Sequence, residues 1–151
     1  MAMQFAHESF TQVKDEIKPL IEEHWEEIAL NQDVIKLNPD WEAYAALDIA
    51  GKLRVYTARK NGELLGYFVL IVGPSLHYKD HIFANNDIIF LRADVREGFT
   101  GIKLIKYAVE CLEREGVRQI NINTKIHQPF DRILERQGFE NIERVYAKCV
   151  R

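Results

Sequence analysis

The sequence predicts a single α/β (α+β) domain over residues 1–151, with a mixed, mostly antiparallel central sheet flanked by helices and with helices before the meander. Apolar residues at helical spacing occupy 9–30, ahead of three β-rich runs. Asn61-Gly62 joins the first two runs, and this dipeptide is a strong hairpin signal. The strand, helix and strand pattern of 87–123 then requires a parallel pairing across a crossover.

Two helices are expected before the sheet. Ser9 to Leu30 follows helical periodicity, with Ser9 as its cap. Pro19 interrupts this run and is expected to kink the helix or split it in two. Asp40 then caps a short helix that ends at Gly51.

The remaining elements alternate between β-rich runs and amphipathic helices. Gly73-Pro74 is expected to end the second strand, and Gly116 and Gly138 to end the two later helices. The predicted strands are Leu53–Ala58, Leu64–Val72, Ile82–Leu91, Val117–Asn123 and Ile142–Val150, and the later helices are Lys103–Arg114 and a short one from Pro129 to Gln137.

The net charge of -3 conceals an uneven distribution. Residues 1–50 carry eleven acidic and three basic side chains, whereas 51–151 carry twelve acidic and seventeen basic ones. A basic body suits a polyphosphate cofactor, and an acidic front suits a cationic acceptor such as an amine. A solvated acidic helix face explains the front equally well. Nucleic-acid binding is not indicated, because no basic run contains interleaved aromatic residues.

Composition also indicates the cellular compartment of the protein. No apolar run approaches the ~20 residues of a membrane helix, and Met1 to Ser9 lacks the features of a secretory signal. Cys111 and Cys149 are therefore expected to be reduced thiols of a cytoplasmic protein. No metal site is expected, since His77 and His81 have helical spacing but lie in a predicted loop.

The turn Arg96-Glu97-Gly98-Phe99-Thr100-Gly101 is the candidate functional centre. It connects a buried strand to the long amphipathic helix, so unpaired N–H groups and the positive end of the helix dipole favour a bound anion there. The turn lacks the Gly-Lys-Ser/Thr ending of a Walker loop and the glycine spacing of a dinucleotide fingerprint.

With its flanks, this turn resembles motif A of the GCN5-related N-acetyltransferase (GNAT) superfamily, Arg/Gln-x-x-Gly-x-Gly/Ala. Arg96 takes the first position and Gly101 the last, while Phe99 replaces the usual middle glycine. The order of predicted elements also resembles that superfamily over nearly the whole chain. A narrower similarity to small acyltransferases encoded by bacteriophages rests on 86–87, 98–101 and 143–148.

A second resemblance lies near the carboxyl end, where Gly138-Phe139 matches the close of the superfamily's Tyr-x-x-x-Gly-Phe. Leu134 replaces the tyrosine, which is often the general acid of the family. His127 stands where the family's Asn-x-x-Ala has asparagine.

The resemblance implies acetyl-coenzyme A (acetyl-CoA) as cofactor. Backbone N–H groups of the turn would hold its diphosphate, the preceding strand would hold the pantetheine arm, and His127 could also contact the cofactor. The implied cofactor-binding residues are Leu91, Arg92, Ala93, Arg96, Glu97, Gly98, Phe99, Thr100, Gly101 and His127.

Asp87 is the first candidate for the general base, because it is a lone carboxylate in an apolar strand. A buried carboxylate has a raised pKa and can accept an amine proton, although a purely structural hydrogen bond explains such a residue equally well. His127 could relay protons, or simply cap a helix. Tyr146 could replace the missing acid if the last strand directs it inward.

Trp41, Tyr44 and Asn86 are the candidates for acceptor binding, with core packing as the alternative for the aromatic pair.

These observations predict an acyl-CoA-dependent N-acyltransferase that transfers acetyl to a primary amine by direct attack in a ternary complex. Two alternatives remain open: a catalytically silent GNAT-like domain that binds a protein, and an α/β domain that binds another phosphorylated ligand at the same turn. A homodimer is compatible with the sequence, which does not give the oligomeric state or the acceptor.

Overall fold

The computed structural model describes residues 2–96 and 98–151. Its elements are β1 (Gln4–Glu8), α1 (Phe10–Ile28), α2 (Trp41–Ile49), β2 (Leu53–Lys60), β3 (Glu63–Pro74), β4 (Ile82–Leu91), a 3₁₀ turn (Ala93–Val95), α3 (Thr100–Arg114), β5 (Gln119–Asn121) and α4 (Asp131–Arg136). The sheet has the order β1-β2-β3-β4-β5, antiparallel except for the parallel pair of β4 and β5. The predicted mixed, mostly antiparallel sheet flanked by helices is confirmed.

The two amino-terminal helices form where the sequence predicts them. Ser9 precedes α1, and its N–H donates to the Gln12 side chain at 3.1 Å. The Asp40 carboxylate accepts from the Ala43 N–H at 3.0 Å, as expected of an N-cap. α1 runs through Pro19 as one helix, so the expected split does not occur.

A strand precedes these helices, which the sequence analysis missed. β1 pairs along its whole length with β2, from Gln4 opposite Arg59 to Glu8 opposite Val55. Arg59 binds Glu8 at 2.9 Å and Glu16 of α1 at 2.7 Å, so one guanidinium ties β1, β2 and α1 together. Five residues with weak alternation predict no strand by themselves, because the pairing partner supplies the stability.

The meander follows the predicted hairpin. Asn61 and Gly62 both have positive φ, +54° and +82°, as a two-residue type I′ turn requires. β3 ends at Pro74, as the Gly73-Pro74 signal predicts, although both residues still pair with β4, so the strand runs two residues beyond the predicted Val72. β5 is shorter than predicted, and α4 begins two residues after Pro129.

The sheet separates two apolar cores, one on each face. Alternating side chains of β2 and β3 point to opposite faces, so Tyr67 and Val69 pack toward α1 while Phe68 and Leu70 pack toward α3. Trp41, Tyr44 and Leu47 place α2 beside the first core. The sheet, including β4, is therefore the middle of three layers, with α1 and α2 on one face and α3 on the other.

The predicted carboxyl-terminal strand, Ile142–Val150, is wrong. Residues 139–151 have no strand assignment, and most of the segment is exposed, including Ile142, Val145 and Val150. A segment of high β propensity forms a strand only where it can pair with a sheet edge, and within the described residues no strand pairs with residues 139–151. Arg151 contacts Asp33 at 2.8 Å near the chain end.

Candidate active site

A gap opens in the sheet where β5 ends. β4 pairs with β5 only from Phe83 to Asn85, yet continues to Leu91. The Arg92 N–H donates to Leu65 O at 2.9 Å, so the peptide groups of Leu91 point to the opposite edge, away from β3. The end of β4 therefore presents backbone donors and acceptors to the gap.

A β-bulge determines where Asp87 points. Ile88 pairs with Val69 and Asn86 pairs with Leu70, which leaves Asp87 as the extra residue in β4. The expectation that the Asp87 carboxylate is buried is wrong. The bulge turns Asp87 outward and leaves it exposed. Any role as a base must therefore come from position and hydrogen bonding.

Tyr44 of α2 makes that hydrogen bond. Its hydroxyl donates to Asp87 Oδ2 at 2.5 Å. Burial, followed by the hydrogen bond to Asp87 and that residue's charge, raises the pKa of Tyr44 well above its ordinary value. The phenol therefore stays protonated and serves as a fixed donor that orients the carboxylate.

The other two predicted acceptor residues lie on either side of this pair. Trp41 stacks on Phe10 at 6.0 Å between ring centroids and packs against the first core. Asn86 donates to Asn123 O at 3.3 Å, at the point where β4 and β5 separate. Tyr44 and Asp87 thus meet at the bulge, whereas the Asn86 side chain is directed to Asn123 and Trp41 lies against α1.

The turn before α3 has the geometry of an anion cradle. Gly98 has φ +85°, a conformation that favours glycine, and no side chain caps the first turn of α3. The first helical bond runs from Lys103 N–H to Phe99 O, so helix geometry leaves the N–H groups of Thr100 and Gly101 without intrahelical partners. The Phe99 ring is 68% exposed.

Close packing joins this cradle to the gap. A Cβ on Gly101 would lie 3.2 Å from Leu91 Cδ1, tighter than ordinary contact. The start of α3 therefore lies against the end of β4, as a ligand spanning both would need. Glu97, another predicted cofactor residue, lies outside the described residues.

Two predicted cofactor residues have other partners in this structure. Arg92 forms ion pairs with Glu63 at 2.8 Å and with Asp94 at 3.4 Å. Arg96 reaches α1, where it pairs with Glu27 at 2.5 Å. Ala93 opens the 3₁₀ turn between β4 and the cradle.

The remaining proton-transfer candidates lie elsewhere. His127 Nε2 is 2.8 Å from Ile28 O, at the end of α1. Tyr146 is 88% exposed in the unpaired carboxyl-terminal segment, so the inward direction on which its role depended is not found. In the described part of the chain, no hydrogen bond joins either residue to Asp87.

The sequence analysis overlooked two further residues beside the site. Tyr67 is fully buried and its hydroxyl has no hydrogen-bond partner within the described residues. Burial mainly, with smaller effects from Tyr44, Asp87 and Glu23, raises the pKa of Tyr67. His24 packs on Phe90 at 5.0 Å between ring centroids. Tyr67 lies within an apolar strand and His24 on an apolar helix face, so only tertiary structure distinguishes them.

Over residues 2–96 and 98–151, no group of three or more His, Cys, Asp or Glu side chains could hold a metal ion. No helix in that part of the chain is both long and apolar enough to span a bilayer.

Comparison with known proteins shows a shared fold. No protein-family model and no curated protein matches the sequence. Solved structures do: a ribosomal-protein-alanine N-acetyltransferase from Brucella melitensis biovar Abortus 2308 has a TM-score of 0.70 at 20% identity, covering 99% of both chains. An aminoglycoside acetyltransferase from an uncultured soil metagenomic sample, in complex with sisomicin, has a TM-score of 0.73 at 13% identity, covering 98% of this chain and 97% of that one. A protein from Clostridium acetobutylicum described as a predicted acetyltransferase, with acetyl-CoA, has a TM-score of 0.69 at 11% identity, covering 98% and 96%.

At these identities the likeness shows the fold, which is that of the GNAT acetyltransferases, over nearly the full length of the chain. The expected GNAT-like fold is confirmed. Activity must be argued from the site itself, because one fold hosts many functions.

Proposed function

We propose that this chain is an acyl-CoA-dependent N-acyltransferase that transfers acetyl from acetyl-CoA to a primary amine by direct attack in a ternary complex. One observation carries the proposal: the gap beside the end of β4 is continuous with the uncapped start of α3, and Asp87, held by Tyr44 of α2, lies on β4 as well. The shared fold supports it, since one neighbour contains acetyl-CoA and another an aminoglycoside.

The residues present fit coenzyme A. The N–H groups of Phe99, Thr100 and Gly101 would hold the diphosphate, because free helix-start amides favour anions. The absence of a side chain on Gly101 keeps the cradle against Leu91. When bound, acetyl-CoA supplies an acyl group activated as a thioester.

The protein's own residues then position an amine. Asp87 would accept a proton from the attacking nitrogen at its exposed carboxylate, directly or through water. Tyr44 would hold that carboxylate in one orientation. A backbone N–H at the end of β4 would polarise the acyl carbonyl. Arg92 and Ala93 remain predicted cofactor contacts, and Trp41 and Asn86 remain predicted acceptor contacts.

The proposal is tested by kinetics of thiol release from acetyl-CoA with a panel of primary amines. Asp87→Asn should lower kcat/KM by about 10²-fold or more, as expected for loss of a general base. Asp80→Asn is the matched control, since Asp80 is an exposed aspartate of the loop before β4. Unchanged turnover of Asp87→Asn would exclude this role. His127→Ala and Tyr146→Phe test the two remaining proton-transfer predictions in the same assay.

A second function is a catalytically silent GNAT-like module that binds a protein. The carboxyl-terminal segment favours it, because Ile142, Val145, Tyr146 and Val150 expose large apolar surfaces. Coenzyme A binding without turnover of any amine would support this alternative. A cytoplasmic location, a homodimer and similarity to bacteriophage-encoded enzymes remain predictions, which the solved structures named above do not address.

A further inference from the structure

Arg96 lies in the turn before α3, but its side chain binds residues outside that turn. Its guanidinium pairs with Glu27 of α1 at 2.5 Å, and its Nε donates to Leu91 O at 2.7 Å. It also lies 5.5 Å from the centroid of the Phe90 ring. One cation thus connects α1, the end of β4 and the turn before α3.

This ion pair is partly withdrawn from solvent. The Arg96 side chain is 39% exposed and that of Glu27 is 28% exposed. The His24 ring packs on the same phenylalanine at 5.0 Å. Because partial burial reduces screening, the pair is held more firmly than a fully exposed one.

The same side chain occupies an acceptor that faces the gap. The Leu91 carbonyl points away from β3, toward the edge that β5 leaves open, and Arg96 Nε satisfies it. A diphosphate in the cradle would compete with Glu27 for the guanidinium, since both are oxyanions suited to its fork geometry.

We propose that Glu27 is a positioning residue that holds Arg96 away from the cradle, so that coenzyme A binding requires Arg96 to exchange Glu27 for the diphosphate. The inference rests on the proposed function, because it presumes that coenzyme A is the ligand. Glu27 on the helix of the opposite face thereby sets the affinity of the cradle. Its effect acts only through Arg96.

Calorimetric titration with coenzyme A tests this exchange. Glu27→Gln removes the competing carboxylate and should lower the Kd about two- to fivefold, the range that a partly exposed ion pair provides. Arg96→Gln should raise the Kd. In the Arg96→Gln background, Glu27→Gln should have no further effect, because the residue through which it acts is gone.

Glu26→Gln is the matched control, since Glu26 is the exposed neighbour on the same helix and the substitution removes the same charge. An equal gain in affinity from Glu26→Gln would show a general electrostatic effect and overturn the inference. An unchanged or higher Kd for Glu27→Gln, or the same gain with and without Arg96, would also overturn it. Failure of the unsubstituted protein to bind coenzyme A would instead refute the proposed function.

Discussion

Gly66 of β3 tests whether the end of β4 is held by close packing. A Cβ at this position would lie 2.3 Å from Leu91 Cδ2 and 2.9 Å from the backbone oxygen of Phe90. Ordinary carbon contacts are about 3.5–4.0 Å. The Phe90 oxygen is backbone and cannot rotate away as a side chain can, and the other methyl of Leu91 has Gly101 beside it.

Gly66→Ala should therefore shift the paired strands and lower the free energy of unfolding by about 2–3 kcal/mol, the upper part of the range for overpacking. For a domain of this size, that corresponds to a Tm lower by roughly 4–12 °C. Urea unfolding at 25 °C followed by circular dichroism measures the free energy directly, and a thermal scan gives the Tm.

Gly73→Ala is the control in the same strand. Nothing lies within 4 Å of a Cβ at Gly73, and its φ is not positive. Alanine there should be neutral or stabilise the strand by about 0.5–1 kcal/mol, because glycine loses more backbone entropy on folding. Equal stability of the two variants would refute the close packing of Leu91 between Gly66 and Gly101.

Two further predictions concern the residues around the cradle. Burial mainly, with the charges of Arg96 and Lys125, lowers the pKa of His24 to about 4. Between pH ~6.5 and ~4 the unfolded chain therefore takes up a proton at this histidine that the folded chain does not. The free energy of unfolding consequently falls as the pH drops through that window. Because the ring is only half-buried, we expect His24→Phe to reduce this loss by on the order of 1 kcal/mol in urea unfolding at pH 7 and 4.5, and an unchanged loss would contradict it. Since the Phe99 ring is largely exposed, Phe99→Ala should change the Kd for coenzyme A by less than about twofold; a large gain in affinity would show that the ring obstructs the cradle.

Much of the fold follows from local pattern. The hairpin at Asn61-Gly62, the cap at Asp40 and the bounds of β4 are all predicted correctly, because each depends on neighbouring residues. β1 and the carboxyl-terminal segment are predicted incorrectly for one shared reason. A strand depends on a partner that may be distant in the chain, and β propensity does not identify whether that partner exists.

The sequence by itself determined the order of elements from α1 to α4 and the glycine-bearing turn before α3, since helical periodicity, turn residues and free helix-start amides are local properties. Tertiary structure decided which side chains meet there. The bulge in β4 turns Asp87 out to Tyr44, 43 residues away in the chain, and Arg96 reaches 69 residues back to Glu27. Such pairings depend on the register of strands and the placement of helices, so no local pattern specifies them.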